Sequence, residues 1–311
     1  MWTARGELDL PLAWRDDARS ILPPIYVAIF AREDLAAAAA ALQRVLFASG
    51  AGSSSMVERL TALARALAGS GADTRLLLAV LLSGAWGCRL TFNFWRKGGY
   101  NLRYEDYRWL EVRKLMSPLL FELFNLVFVA AAQHLLCLLI TLPAFVAYAV
   151  RRDGPQGATA PQPPPPLGGA DWAAVALFCA LLAGEAIADE QQWTFQRRKR
   201  ELIQAKQPLW GDYRRGFRTT GLFRFSRHPN FFCEYGMWWA IYLLCAALPC
   251  GCLLGWSAAG AAGLTLLFHG GSLWITERIS ACRYPDYVAY RDTTSAIVPG
   301  RPGPRLPDRD V

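Results

Sequence analysis

The sequence has eight cysteines but no Cys-X-X-Cys pair. Cys250 and Cys252 are too close together for an easy disulfide bond, and neither has the neighbouring ligands of a zinc site. Four others fall within apolar stretches and are interpreted as small apolar fillers: Cys88, Cys137, Cys179 and Cys245. The cysteine pattern therefore predicts neither a disulfide framework nor a bound metal ion.

A Gly-X-Gly-X-X-Gly loop is also missing, which argues against a Rossmann-type nucleotide-binding domain. The first twenty residues carry Asp16, Asp17 and several arginines rather than an apolar core, so we expect no cleavable signal peptide. No pair of broken-helix repeats is visible in the sequence, and a transporter is therefore not favoured.

Apolar stretches long enough to cross a bilayer recur along the chain. Hydrophobic residues make up 53% of the 311 positions and charged residues 19%, and most charges lie between the apolar stretches. This pattern predicts an all-α, multi-pass integral membrane bundle of about six transmembrane helices. The predicted spans lie near residues 21–48, 74–95, 117–149, 171–193, 231–249 and 254–276. The third is long for a straight span, and we favour one tilted or kinked helix over two short crossings.

Basic residues concentrate in the segments 96–116 and 194–230 and in the tail from residue 277. The positive-inside rule then places these segments and both termini in the cytoplasm. The net charge of +8 is explained by such loops meeting anionic membrane lipids, so we do not expect nucleic-acid binding. The proline-rich segment 151–170 is predicted to be an extended, non-helical loop.

Carboxylates stand at the edge of the fourth predicted span, at Glu185, Asp189 and Glu190. Ionisable groups at membrane depth are costly, which indicates either function or pairing with a basic partner. Glu185 and Asp189 are four residues apart and share one helix face. We expect their partner to be the basic run 197–200; an interfacial cluster with a purely structural role is the alternative.

A second polar block precedes the fifth predicted span. Pro229 suits the first turn of a helix, so Arg227 and His228 would crowd a helix start that favours phosphate or carboxylate. Asn230 and Glu234 would lie on one face just inside the membrane.

The last block, residues 276–299, predicts a helix leaving the membrane, a turn and a short amphipathic helix. Its tyrosines either anchor the interface or clamp a planar ligand.

These blocks resemble the steroid 5-alpha-reductase C-terminal-like superfamily, and most of all its large branch of membrane proteins of unknown function. The matching segments are residues 221–234 (GLFRFSRHPNFFCE) with Trp238 and Trp239, residues 89–100 with 105–109, residues 185–189 and residues 276–299. The resemblance covers most of residues 75–299, which we take as a steroid-reductase-like membrane domain. Residues 1–73 would be a divergent leader with a first membrane segment, and 300–311 a flexible tail.

The resemblance implies a reductase of the endoplasmic reticulum that passes hydride from NADPH to a carbon-carbon double bond in a lipid or sterol-like substrate. An acidic side chain would polarise the conjugated carbonyl group. The implied cofactor-binding residues are Asp189, Arg197, Arg227, His228, Asn230, Glu234, Glu277, Arg278, Tyr287 and Tyr290. Trp86 falls near the position of a substrate-facing tyrosine, and Tyr26 and Tyr100 are the other candidates for a catalytic residue.

Two alternatives remain open. The Arg227-His228-Pro229 turn also resembles isoprenylcysteine carboxyl methyltransferase, which would make the cofactor S-adenosylmethionine. Asp189, Asn230 and the tryptophan pair favour the reductase. The second alternative is a catalytically inactive, lipid-binding membrane protein, which is supported by Arg19 standing where the family has a tryptophan.

Overall fold

The computed structural model describes residues 73–101, 107–153, 166–247, 255–304 and 306, together with the isolated positions 27, 32, 35, 36, 39 and 40. Within these residues the secondary structure is entirely helical, and no strand occurs. The predicted all-α class is therefore confirmed. The predicted span 21–48 and most of the predicted leader lie outside the described residues.

The described helices follow one another as a chain of long and short segments. They are α1 (Thr74–Arg96), α2 (Tyr107–Arg113), α3 (Pro118–Phe124), α4 (Gln133–Leu139), α5 (Leu142–Asp153), α6 (Gly169–Gln204), α7 (Gly211–Arg215), α8 (Pro229–Tyr242), α9 (Ala259–Leu267), α10 (Leu273–Arg283) and α11 (Tyr287–Thr293). Three π-helical segments, Asn125–Ala132, Leu243–Ala247 and Phe268–Ser272, join or extend them.

Four stretches in the described part of the chain are long and apolar enough to cross a membrane. They are Thr74–Arg96, Pro118–Ala149, Gly169–Gln204 and Trp256–Arg283. Each corresponds to a predicted span, and the second forms one helical path with a break after Leu139, as predicted for a kinked helix. The chain is therefore an all-α membrane helical bundle.

The predicted span 231–249 forms α8 and its π-helical extension, but it is not among those four candidates. The candidates are drawn from the described residues alone, and the last residues of this span, 248–249, lie outside them. Met237, Trp238, Ile241 and Tyr242 are almost completely buried, because α8 packs against other helices of the same chain rather than facing lipid along its length. A central helix can therefore carry more aromatic and polar side chains than a lipid-facing one.

A buried ion pair fixes α1 against α6. Arg75 Nε donates to Asp171 Oδ1 at 3.0 Å, and Arg75 Nη2 donates to Asp171 Oδ2 at 2.9 Å. Fourteen residues further along both helices, Arg89 meets Glu185. Equal spacing on the two helices means that α1 and α6 run parallel and in register. Their carboxyl ends, and the basic segments that follow, therefore lie at the same end of the bundle, here called the basic end.

α8 runs antiparallel to α6 in close contact. A Cβ on Gly184 would lie 3.1 Å from Cys233 Sγ, and one on Gly236 would lie 2.9 Å from Leu181 Cδ1. Small residues thus allow the two helices to approach closely. As a result, Glu234 on α8 lies beside the acidic face of α6.

The predicted loop 151–170 is partly helical at its two ends. α5 continues to Asp153, and α6 begins at Gly169. The reason is that the first proline of this segment is Pro155, so nothing prevents the helix from extending two residues past Arg151. The prolines between residues 155 and 165 lie outside the described residues.

Beyond the membrane helices, an aromatic cluster holds the last block in place. Phe217, Tyr287 and Tyr290 are buried against one another, with ring centroids 5.2–5.8 Å apart. Gly216 ends α7 with φ at +93°, and a Cβ there would lie 2.3 Å from a Tyr284 ring carbon. The predicted sequence of helix, turn and short helix in this block is confirmed by α10, the turn at 284–286 and α11.

Candidate functional site

Three helices bring one guanidinium group and three carboxylates together inside the bundle. Arg89 Nη1 of α1 lies 3.0 Å from Glu185 Oε1 and 2.5 Å from Asp189 Oδ2, both on α6. Arg89 Nη2 lies 3.5 Å from Glu234 Oε2 on α8. These four side chains, the ionic cluster, are between 7% and 17% exposed. They are therefore held almost entirely out of solvent.

Further N–H groups orient the carboxylates. Trp86 Nε1 donates to both oxygens of Glu234, at 3.0 and 2.9 Å, and Trp238 Nε1 donates to Oε1 at 3.2 Å. Asn93 Nδ2 donates to Asp189 Oδ2 at 2.6 Å. The carboxylates of Glu234 and Asp189 are thus each held in position by side-chain N–H groups from a neighbouring turn or helix.

Two buried atoms of the ionic cluster nevertheless lack a hydrogen-bond partner in the structure described. One is an acceptor, Glu185 Oε2, and the other is a donor, Arg89 Nε. Leaving a buried donor or acceptor unpaired costs about 1–3 kcal/mol, and more for charged groups. The cluster is therefore suited to a small polar ligand that both accepts and donates hydrogen bonds.

The basic partner of Glu185 and Asp189 differs from the one predicted. The run 197–200 was expected to pair with them, but the partner is Arg89 of α1. The reason is geometric: residues 197–200 lie at least two turns further along the same helix, beyond the reach of i,i+4 pairing. Arg197 and Arg198 pair instead with Glu201, in the exposed part of α6.

A second group of polar side chains lies at the basic end, where α8 begins. Arg227 Nε donates to Glu277 Oε1 of α10 at 2.6 Å. Arg227 Nη1 donates to the carbonyl oxygens of Arg291, at 2.6 Å, and of Thr294. A single buried guanidinium group thus joins the start of α8, the middle of α10 and the end of α11 with the residue that follows it. His228 Nε2 lies 3.5 Å from Glu277 Oε1 and makes no hydrogen bond to a described residue.

Glu277 also lines an open cleft of about 570 Å³, which we call the Glu277 cleft. Its lining residues are His269, Gly270, Leu273, Trp274, Glu277, Arg278, Ala281 and Arg291. The guanidinium group of Arg278 lies 5.4 Å from the ring centroid of Trp274. The volume falls in the usual range for small-molecule sites. The lining combines cationic groups, which suit phosphate or carboxylate, with an aromatic ring.

Tyr287 and Tyr290 stand behind this site rather than in the lining of the cleft. Both are buried in the aromatic cluster, and the Tyr290 hydroxyl donates to the carbonyl oxygen of Phe223. Burial, together with the negative charge of Glu277, raises the pKa of Tyr287 to about 12, although Arg227 opposes this shift. Burial likewise raises the pKa of Tyr290. Of the two predicted roles, anchor or clamp, the contacts of these tyrosines favour an anchor of the last block.

The pKa of Tyr287 predicts a loss of stability at alkaline pH. An unfolded tyrosine ionises near pH 10, whereas Tyr287 stays neutral in the fold up to a pKa of about 12. Between these values the unfolded state binds fewer protons, so the free energy of unfolding falls as the pH rises, by roughly 1.4 kcal/mol per pH unit. Chemical unfolding in detergent between pH 9 and pH 12 measures this slope. The Tyr287→Phe variant should show a shallower slope, and an unchanged slope would contradict the assignment to Tyr287.

The predicted site residues lie in separate parts of the structure. Asp189 and Glu234 belong to the ionic cluster, and Arg227, His228 and Glu277 meet at the start of α8. Asn230 is half-buried one turn before Glu234 on α8, and its side chain makes no hydrogen bond to a described residue. Arg197 lies apart from both groups, on the exposed end of α6.

The three candidates for a catalytic residue lie in different surroundings. Trp86 is buried, and its N–H group orients Glu234, so its contacts indicate a positioning role. Tyr100 is 42% exposed beyond the end of α1, with its ring edge against Phe94. Tyr26 lies outside the described residues.

Arg89 and Asn93 are the site residues that the sequence reasoning missed. Both stand inside a long apolar stretch, and Arg89 enters the prediction only as part of the family motif at 89–100. A signal was present, since an arginine and an asparagine four residues apart within a predicted span mark one polar helix face. That face could have been matched to the acidic face of the span at 171–193.

A buried ionic cluster inside a helical bundle, next to a cationic cleft at one end, defines a membrane protein with an internal polar site. The chain belongs to the family described as "Protein of unknown function (DUF1295)", whose model matches residues 43–294. It is 35% identical over 234 residues to "Uncharacterized protein C594.04c" of Schizosaccharomyces pombe. That match covers 73% of this chain and 64% of the relative, so the chain spans a little under two thirds of the relative's length. No solved structure matches it.

Proposed function

We propose that the chain is a membrane-embedded reductase that uses NADPH to reduce a carbon-carbon double bond in a lipid or sterol-like substrate. The observation that carries the proposal is the unpaired donor and acceptor inside the ionic cluster, Arg89 Nε and Glu185 Oε2. A carboxamide accepts through its oxygen and donates through its nitrogen. The carboxamide of a nicotinamide ring would therefore satisfy both atoms.

The charge of the cluster supports the same ligand. Three carboxylates and one guanidinium leave a formal excess of negative charge, which would stabilise the positive ring of the oxidised nicotinamide. Trp86, Trp238 and Asn93 hold two of the carboxylates in fixed orientations. The protein thus supplies preorganised charge, and no side chain would need to reorient when a positive ring forms.

The Glu277 cleft supports a ligand that carries phosphate. Arg278 and Arg291 line it, and a guanidinium group binds phosphate through two parallel N–H groups. S-adenosylmethionine has one carboxylate and no phosphate, so it would engage these two arginines less fully than the several phosphate groups of NADPH. This contrast favours NADPH as the cofactor.

The start of α8 connects the cleft with the ionic cluster. His228 contacts Glu277 of the cleft, and Glu234 of the cluster follows six residues later. Six residues of helix span about 9 Å. An elongated ligand, such as a dinucleotide, could therefore reach from the cleft to the cluster along α8, and the half-buried Asn230 lies on that route.

In the proposed reaction, the bound cofactor would supply the hydride, and a proton from the solvent would complete the reduced carbon-carbon bond. The chain's own residues would then have three tasks. Arg278 and Arg291 would hold phosphate at the basic end, while Arg89 and Glu185 would hold the carboxamide group. The surrounding apolar helices would admit a hydrophobic substrate and exclude water. The resemblance of residues 221–234 to steroid 5-alpha-reductase-like proteins supports this assignment.

The first test is the thermal stability of the detergent-purified protein with NADPH or with S-adenosylmethionine. A ligand that binds only the folded state, present at 100 times its dissociation constant, stabilises that state by about 2.7 kcal/mol. We expect a rise in melting temperature with NADPH and none with S-adenosylmethionine. A rise with S-adenosylmethionine alone would favour the methyltransferase, and no rise with either would favour an inactive lipid-binding protein.

The Arg278→Gln variant tests the phosphate contact. Loss of one charge-assisted hydrogen bond of about 1.5–3 kcal/mol should raise the dissociation constant of NADPH roughly 10- to 100-fold. Fluorescence titration of NADPH measures this change. Arg198→Gln is the matched control, because Arg198 is exposed and pairs with Glu201 away from the cleft. Equal affinities for the two variants would remove Arg278 from the proposed site.

A further inference from the structure

The outward face of the candidate span Pro118–Ala149 carries a histidine at its middle. His134 follows Pro118 by 16 residues and precedes Ala149 by 15. Its side chain is exposed on the surface of the bundle, between exposed apolar residues such as Val127 and Leu138. The midpoint of a membrane span lies in hydrocarbon, where no water is available to an exposed imidazole ring.

His134 makes no hydrogen bond to any residue that the structure describes. Several other polar side chains of the described spans do have partners. The hydroxyl of Ser83 donates to Val80 O, and that of Thr141 donates to Leu138 O. Trp239 Nε1 donates to Thr265 Oγ1 on the neighbouring helix. A polar side chain within a span normally pairs with another group, and none of the described residues supplies one for His134.

The opposite face of the same helix is already occupied. Val129, Gln133 and Cys137 are buried there. About one turn further on, the backbone of Leu139 lies close to Gly260. A Cβ on Gly260 would lie 2.3 Å from the carbonyl group of Leu139. The inward face therefore packs against α9, and the outward face with Ala131 and His134 has no described helix upon it.

We propose that two copies of the chain associate through this outward face, with His134 of each copy bonded to His134 of the other. Copies inserted in the same membrane have the same orientation. A two-fold axis along the membrane normal therefore places each residue of this face opposite its own counterpart, at the same depth. A neutral imidazole ring has one N–H donor and one acceptor nitrogen. Two such rings can form one N–H···N hydrogen bond, which pairs the donor of one ring with the acceptor of the other.

The neighbouring residues fit this partner. His134 and Leu138 lie four residues apart on one face of α4, and the exposed Val127 and Ala131 precede them in the π-helical stretch Asn125–Ala132. Ala131 and Ala132, just before His134, are small and would let the two helices approach closely. A lipid chain offers the imidazole no hydrogen bond, whereas a second copy offers the complementary group at the required depth.

Dimerisation is tested on the full chain reconstituted in lipid nanodiscs or vesicles. The dissociation constant is measured from the dimer fraction at a series of protein-to-lipid ratios. An interhelical hydrogen bond in a membrane contributes little, so His134→Leu should raise the dissociation constant about 3- to 15-fold. His134→Gln keeps a donor and an acceptor and should restore much of the loss. Ala131→Phe should prevent close approach and yield monomers.

Ala176→Phe provides the matched control, since Ala176 is an exposed alanine on the lipid-facing side of α6. It should leave the dimer unchanged. As a second measurement that does not depend on bulky variants, Ala131→Cys should form an oxidative cross-link between copies, and Ala176→Cys should not. A wild-type chain that stays monomeric at all ratios would overturn the proposal. A dimer that tolerates Ala131→Phe, or that cross-links equally through residue 176, would overturn it as well.

Discussion

Replacing Arg89 with methionine is expected to lower the free energy of unfolding by about 3–5 kcal/mol. The guanidinium group of Arg89 lies within 3.5 Å of Glu185, Asp189 and Glu234, and the variant would leave these carboxylates as uncompensated buried charge. Reversible unfolding in mixed detergent, followed by circular dichroism, measures the change. The same variant should also abolish the thermal shift with NADPH, because Arg89 Nε is one of the two atoms assigned to the carboxamide.

Two variants separate the effect on stability from the effect on binding. Arg89→Lys keeps the positive charge but loses the fork of N–H groups, so it should recover part of the stability and none of the NADPH shift. Arg198→Met removes a guanidinium group from an exposed pair, where a change within about 1 kcal/mol is expected. If Arg89→Met were no less stable than Arg198→Met, the ionic cluster would not exist in the folded protein.

The membrane class follows from the sequence because hydropathy is a property of each helix alone. A stretch such as Gly169–Gln204 is apolar over enough residues to span a bilayer whatever packs beside it. Its true length is harder to predict. The helix is about 54 Å long, which exceeds the roughly 30 Å of a bilayer core. Its last turns therefore extend beyond the membrane, where they are stabilised by contacts that hydropathy does not predict. Phe195, for example, stacks on Tyr213 beyond the predicted end of that span.

The partners within the site depend on which helices become neighbours. The sequence places Glu185 and Asp189 on one face, but it does not state that α1 runs parallel to α6 with Arg89 opposite. The nearest basic residues in the sequence, 197–200, were therefore chosen, and this choice was wrong. The alignment of the two helices is shown by two ion pairs, Arg75 with Asp171 and Arg89 with Glu185. The two members of each helix are separated by the same number of residues, which the sequence alone does not single out.

The block at the start of α8 could be predicted in more detail because its geometry is local. Pro229 begins the helix as expected, which places Arg227 and His228 at its amino-terminal end. Their contact with Glu277 joins residues 50 positions apart. Only the resemblance to a family assigns the two segments to one site, since no periodicity in the sequence connects them.

Replacing Arg227 with methionine is expected to loosen the segment 284–300 and to weaken NADPH binding at least tenfold. One buried side chain holds Glu277 and two carbonyl oxygens, those of Arg291 and Thr294, and its removal leaves all three unpaired. Each unsatisfied buried group costs about 1–3 kcal/mol. The segment should then open locally more often, although the aromatic cluster and backbone bonds such as Arg227 N to Ser295 O would still hold it in part.

Limited proteolysis measures this opening directly, since a loosened segment is cut at Arg291 faster than the membrane helices are cut. Arg224→Met is the matched control, because Arg224 is exposed on the preceding turn and its loss should change neither cleavage nor binding. Arg227→Lys should bind Glu277 but lose one of the two carbonyl contacts, which predicts intermediate cleavage. If Arg227→Met were cut at the wild-type rate while NADPH binding fell, Arg227 would act on the ligand itself rather than by holding the last segment in place.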